Sequence, residues 1–160
     1  MKEHIVKVAD LAAVSGDVTL ITLGLGSCVA VALWDPAARV GGLAHVLLPS
    51  RTLARDQSNL AKFPETAVPV LIERLAALGA SPHRLTARLV GGAAMFASVS
   101  SPGVSQMGER NVTAMREALK AARVPVTGED TGKDYGRSVY FGVATGRVEV
   151  RSVQHGVREL

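Results

Sequence analysis

Apolar residues crowd the stretch from Leu20 to Leu48, and glycines and one Asp-Pro pair interrupt them at short intervals. Asp17–Leu23 is rich in β-branched and aliphatic residues and predicts a strand. Gly24-Leu25-Gly26-Ser27 breaks it, and Cys28–Trp34 resumes as an almost unbroken apolar strand. Asp35-Pro36 opens a turn, because proline presets φ and aspartate bonds the backbone that follows. Val40–Leu48 is a second buried strand, expected to pair with Cys28–Trp34 as a hairpin, and Pro49 ends it. Upstream, His4–Ala9 alternates enough for a short strand, and the turn chemistry of Ser15-Gly16-Asp17 follows.

After Pro49 the period changes. Ser50–Phe63 is polar with no clean repeat and predicts a surface loop. Val68, Leu71, Ile72, Leu75 and Leu78 then fall on one helical face, and Gly79 supplies the stop. Pro69 fits if that helix starts near Thr66, where a first-turn amide has no intrahelical acceptor. Arg84–Val90 is a further strand, running into the small residues of Gly91-Gly92-Ala93-Ala94. A loop over Ala97–Gly108 leads to a second helix with Val112, Met115, Leu119 and Ala122 on one face, closed by Pro125. Val124–Thr127, Ser138–Ala144 and Arg147–Val153 predict short strands, the last two joined by Thr145-Gly146. The pattern is α/β, with consecutive strand hairpins rather than regular βαβ alternation. Neither a repeat nor a linker divides it, so residues 1–160 are expected to form one domain.

Composition narrows the function classes. Hydrophobic residues at 48% and charged residues at 20% argue against extended disorder. Eighteen basic and fourteen acidic residues leave +4, with no basic block and no interleaved aromatics, so nucleic-acid binding is not expected. The Leu20–Trp34 run is too short and too interrupted for membrane insertion. One cysteine excludes an internal disulfide, and no signal-peptide pattern opens the chain; a cytoplasmic location is expected.

That cysteine, Cys28, follows a glycine-bracketed turn. A lone cysteine is more often an inert core residue, but Gly24 and Gly26 allow the amides of Gly26, Ser27 and Cys28 to converge as an oxyanion-binding nest. His45 lies in the partner strand among Leu43, Ala44, Val46 and Leu47, where a core histidine with satisfied nitrogens is the plain alternative. A mirror about Ala37 sets Cys28 against Val46 and His45 against Val29. A one-residue bulge at Gly41-Gly42 is then expected to bring thiol and imidazole to one face. His4, His83 and His155 lie in polar or terminal positions, and none has metal-ligand spacing to Cys, Asp or Glu, so no metal is expected. The glycine turn also lacks the last glycine of a dinucleotide fingerprint, having Val29 instead.

Thr22–Pro49, TLGLGSCVAVALWDPAARVGGLAHVLLP, closely resembles the signature of the bacterial chemoreceptor glutamine deamidases (CheD). ARLVGGAAMF at Ala87–Phe96, MGERNV at Met107–Val112 and YGRSVYF at Tyr135–Phe141 resemble that family's other blocks in the expected order. The resemblance implies a layered α/β sandwich with two main helices and mostly antiparallel or mixed sheets, similar to deamidating toxin catalytic domains. It implies a cysteine amidohydrolase converting receptor glutamines to glutamates, without a cofactor, with Cys28 as nucleophile, His45 as catalytic histidine and Thr22 as the third catalytic position. Chemoreceptor cytoplasmic helices are the implied substrate, and the CheC phosphatase an implied partner in many bacteria. Met95 and Phe96 are candidates for a partner-facing contact, and the loops Ser50–Phe63 and Ala97–Gly108 for flanking the site. One departure is visible: two adjacent glycines are common in the family where this chain reads Gly132-Lys133. A regulatory binding module for CheC is the alternative reading; a generic thiol hydrolase of small amides is a third.

Overall fold

The computed structural model describes residues 2–95 and 106–160. Ten strands are placed along them: β1 Lys2–Ile5, β2 Asp10–Ser15, β3 Val18–Leu25, β4 Val29–Asp35, β5 Val40–Val46, β6 Thr86–Gly91, β7 Val126–Thr131, β8 Arg137–Gly142, β9 Arg147–Ser152 and β10 Gly156–Glu159. Two helices join them, α1 Pro64–Ala77 and α2 Met107–Ala121. The strands form two five-stranded sheets, in the orders β1-β3-β8-β9-β10 and β2-β5-β4-β6-β7. Both are mixed: β1 runs parallel to β3 and β6 parallel to β7, while the other pairings are antiparallel.

The second sheet is the central layer. Val29, Val31, Leu33, Val40, Ala44 and Val46 on one face pack with Val68, Leu71 and Leu75 of α1 and Val112, Met115 and Leu119 of α2. Ala30, Ala32 and Leu43 on the other face pack with Leu20, Leu25, Val139, Phe141, Val148 and Val150 of the outer sheet. Covered on both sides, β4 and β5 have no solvent face to mark with polar residues, which explains their continuous apolar runs. The outer sheet has one covered face, and β8 accordingly alternates between buried Arg137, Val139 and Phe141 and more accessible residues.

Several expectations change at the element level. The first strand is Lys2–Ile5 instead of His4–Ala9, and a separate strand, β2, follows it and borders β5. Ser50–Phe63 contains two short 3-10 turns, Arg51–Leu53 and Leu60–Lys62, and ends on a fully buried Phe63. Helix α1 begins at Pro64, so Pro69 lies in its interior rather than its first turn. Pro69 is on the exposed face, where the carbonyl it leaves unpaired can reach water. The predicted stop holds: Gly79 at φ +104° lets Ala80 N–H reach Leu75 O (3.0 Å) and Gly79 N–H reach Ala76 O (3.0 Å). The polar strand β7 extends to Thr131, making β6-α2-β7 a βαβ unit that hairpin-only reasoning leaves out. Edge strand β10 was likewise not expected.

Candidate active site

The β4–β5 hairpin is regular. Ala30 stands opposite His45, Val29 opposite Val46 and Asp35 opposite Val40, without a bulge. The expected mirror was therefore off by one residue, and no correction at Gly41-Gly42 is needed. Those glycines serve packing instead: a Cβ on Gly41 would lie 2.8 Å from Phe141 Cζ, and one on Gly42 would lie 2.6 Å from Leu71 Cδ1. The turn is held as its sequence suggests, with the Ala37 and Ala38 amides donating to Asp35 Oδ1 at 3.0 and 3.2 Å. Because directly opposed residues share a face, His45 lies on the side of Ala30 and Ala32, between the two sheets. Cys28, two residues before Ala30, is half-buried and packs against that same inter-sheet core. It is a diagonal neighbour of His45, a relation with typical Cβ separations of about 7–8 Å or somewhat less.

Thr22 reaches the imidazole from the outer sheet. Its Oγ1 lies 2.6 Å from Val6 O and 2.7 Å from His45 Nδ1, and both side chains are fully buried. A hydroxyl has one hydrogen, and a carbonyl oxygen only accepts. The Thr22 hydrogen therefore points to Val6 O, and Oγ1 must accept from Nδ1–H. This chain of bonds selects one tautomer: Nδ1 is protonated, and Nε2 carries the free lone pair. Among the described residues Nε2 has no hydrogen-bond partner. Burial lowers the His45 pKa to about 4, so the ring is neutral near pH 7. Asp10 stands opposite His45 on the other side of β5, but its carboxylate is exposed and accepts from the Leu11 amide at 2.8 Å. The imidazole is thus oriented by a hydroxyl and a carbonyl, and among the described residues no anion bonds to it to raise its basicity.

Three successive carbonyls fix the turn before β4. Gly26 O accepts from Ala93 N–H at 2.9 Å, Ser27 O from Asn111 Nδ2 at 2.8 Å, and Cys28 O from Gly92 N–H at 2.8 Å. Gly91 and Gly92, at φ +114° and +70°, make that approach possible, since a Cβ on Gly91 would sit 2.3 Å from Cys28 O. Burial pushes the Cys28 thiol above its ordinary range, while a hydrogen bond from its own backbone amide pulls it partly back. A neutral thiol therefore stands near a neutral imidazole.

The remaining predicted residues separate into two groups. Met95 is 45% exposed and belongs to this turn, because a Cβ on Gly26 would meet its Sδ at 3.0 Å. Phe96 and most of the Ala97–Gly108 loop lie outside the described residues. His4 and His83 are exposed, and His155 is exposed with its ring 4.1 Å from that of Tyr135. No cluster of three His, Cys, Asp or Glu suited to a metal ion occurs among the described residues. Lys133 has φ +61° after Gly132 at +76°, so the backbone keeps a left-handed pair where the resemblance leads one to expect two glycines. The same loop is tied to the site's support, since Gly132 N–H donates to Gly91 O and Ala94 N–H to Lys133 O. Arg137 underpins it from a buried pair with Asp130 at 3.0 Å and a bond to Gly132 O at 2.8 Å.

Two contributors escaped the sequence reading. Val6 acts through its backbone carbonyl, for which no side-chain signal exists. Asn111 did carry a signal: it occupies the apolar face of α2 with Val112, Met115 and Leu119, where a polar residue needs buried partners. No described helix is long and apolar enough to cross a membrane.

Comparison with known proteins supports the motif reading. A "Probable chemoreceptor glutamine deamidase CheD 2" from Geobacter metallireducens is 47% identical over 91% of this chain and 91% of its own. A "Probable chemoreceptor glutamine deamidase CheD" from Caldanaerobacter subterraneus is 45% identical over 87% and 86%. The "Chemoreceptor glutamine deamidase CheD" of Halalkalibacterium halodurans is 40% identical over 97% and 96%. The sequence model described as CheD chemotactic sensory transduction matches residues 47–152, a range that holds Asn111 and Arg137 but begins after Thr22, Cys28 and His45. With relatives this similar over nearly its whole length, the chain belongs to the CheD family of chemotactic sensory transduction proteins.

Proposed function

We propose that this protein deamidates glutamine side chains of chemoreceptors through a covalent Cys28 thioester, with His45 as the general base and acid. The observation that carries this reading is the lone pair of His45 Nε2, buried and without a partner among the described residues, on the face that Cys28 shares. A carboxamide is a poor electrophile, and a thiol nucleophile divides its hydrolysis into two easier steps. Nε2 takes the Cys28 proton as Sγ bonds to the amide carbon. The Cys28 amide, on the same residue as the reacting sulfur, then donates to the developing oxyanion; a donor of this kind is commonly worth about 3 kcal/mol in the transition state. Protonated His45 returns the proton to nitrogen, the C–N bond breaks and ammonia leaves. Water, deprotonated by the same Nε2, attacks the thioester to give glutamate and regenerate the thiol.

The low His45 pKa and raised thiol pKa support proton transfer during attack rather than a standing thiolate–imidazolium pair. Ser27 adds its amide to the same turn, and Gly26 lets Met95 close over it. Receptor cytoplasmic helices are the substrate in this reading, which places the protein in the cytoplasm. Exposed Met95, against the nucleophile turn, also favours a second reading in which a CheC-type phosphatase docks there and regulates access.

The test is mass spectrometry of a receptor cytoplasmic fragment after incubation. The native protein should convert specific glutamines to glutamates with release of ammonia, and Cys28→Ala should do neither while keeping its fold. Conversion at the native rate by the Cys28→Ala protein would remove the cysteine from the mechanism.

A further inference from the structure

A residue of α2 extends the site beyond the cysteine, histidine and threonine. Asn111 is fully buried on α2, and its Nδ2 donates to both Ser27 O (2.8 Å) and Leu47 O (3.2 Å). Two carbonyl acceptors can be satisfied only by the amide nitrogen, so the side chain has one orientation, leaving Oδ1 buried without a partner among the described residues. We infer that Asn111 is a positioning residue for the proposed deamidation, acting through the Ser27–Cys28 peptide to aim the oxyanion donor.

The described peptides are trans, and in a trans peptide the carbonyl and the following N–H point in opposite directions. Holding Ser27 O against α2 therefore turns the Cys28 N–H away from α2. That N–H belongs to the residue that carries the thiol, so its direction is set together with the position of the nucleophile. The second acceptor, Leu47 O, lies just past the end of β5, two residues beyond His45. A single carboxamide thus spans the nucleophile turn and the exit of the histidine strand. Ala93 and Gly92 hold the neighbouring carbonyls with main-chain amides, so Asn111 is the side chain through which substitution can loosen this clamp.

This inference rests on the deamidation reading for its kinetic test, and two further measurements stand apart from that reading. Asn111→Leu removes both donors at similar size, and Asn111→Asp places acceptors against two carbonyls. Each should lower kcat on the receptor fragment by about 10²-fold with KM within twofold, the scale of a lost oxyanion donor. Each should also shift the pH profile of Cys28 alkylation by iodoacetamide, because the Ser27–Cys28 peptide that carries the thiol loses its anchor on α2. A merely structural Asn111 would lower the melting temperature and leave kcat and the alkylation profile unchanged; that result overturns the proposal. If both variants fail to fold, hydrogen exchange of the assigned Asn111 side-chain amide in native protein decides it. Slow exchange of both protons is expected, and exchange at the rate of a solvated amide refutes the clamp. Native protein that is inert on the receptor fragment but keeps the alkylation and exchange behaviour would sink the deamidation reading alone.

Discussion

Replacing Thr22 by Val tests the proton arrangement on which the mechanism depends. The two side chains are nearly the same shape, so packing is retained while the hydroxyl is lost. Val6 O and His45 Nδ1–H then lose their shared partner in a fully buried place. At about 1–3 kcal/mol for each buried group left unsatisfied, the fold should lose about 2–6 kcal/mol. For a domain of this size that corresponds to roughly 5–15 °C in Tm, readable by thermal denaturation. The catalytic effect is separate. Without the acceptor at Nδ1 the ring can carry its proton on Nε2, the nitrogen that must be bare, and errors of tautomer cost up to about 10⁴-fold in kcat. We expect ammonia release by Thr22→Val to fall at least about 10²-fold at saturating receptor fragment, with KM little changed. Thr22→Ser keeps the hydroxyl and should retain most of the rate. Nitrogen-15 spectra of the imidazole should show protonated Nδ1 in native protein and a changed tautomer ratio in the valine variant. A folded Thr22→Val protein with native kcat would refute the reasoning, whatever its Tm.

Two other perturbations follow from the same coordinates. His45 titrates at about 4 in the fold and near 6.5 when unfolded, so the unfolded chain binds more protons between those values. Its contribution to stability is complete above pH 6.5 and is lost as pH falls toward 4, by about 3 kcal/mol in all. Urea denaturation at pH 7 and 4.5 should show this loss in native protein and not in His45→Asn; equal losses in both would assign the acid sensitivity to other groups. Lys133 adopts a left-handed conformation that costs a non-glycine residue about 1–2 kcal/mol. After the added flexibility of an unfolded glycine is subtracted, Lys133→Gly should stabilise by about 0.5–1 kcal/mol in chemical denaturation. A destabilised Lys133→Gly would show instead that the lysine side chain contributes to the loop.

The hairpin was legible because its signals are local: two apolar runs, an Asp-Pro turn and a proline stop. Its register was not, since sliding one strand by one residue leaves the composition of both runs unchanged. What selects the register is contact outside the hairpin, with Gly41 against Phe141 on one side and Gly42 against Leu71 on the other. The same glycine pair looked like a bulge because glycine tolerates unusual backbone geometry, whereas here it is absence of volume that matters. The continuation of β7 beyond Thr127 and the whole of β10 were obscured by polar residues. At a sheet edge Val126-Thr127-Gly128-Glu129 can pair through its backbone without presenting an alternating apolar face.

The division within the site has the same origin. Cys28 and His45 belong to one hairpin, so their residue types and rough proximity are readable from the sequence, while the register that brings them to one face is not. In the proposed mechanism, what makes those groups competent comes from elsewhere: a hydroxyl on the other sheet, a carbonyl after β1, and a carboxamide on α2. None of these partners is chemically exceptional, and each acts by the direction in which it presents a hydrogen or a lone pair. Two of them work through backbone carbonyls, which the sequence repeats at every residue and therefore cannot mark. The outer sheet and α2 are accordingly part of the proposed catalytic apparatus as well as of the core. An isolated β4–β5 hairpin would hold a thiol and an imidazole, yet it would lack the bonds that decide which nitrogen is the base.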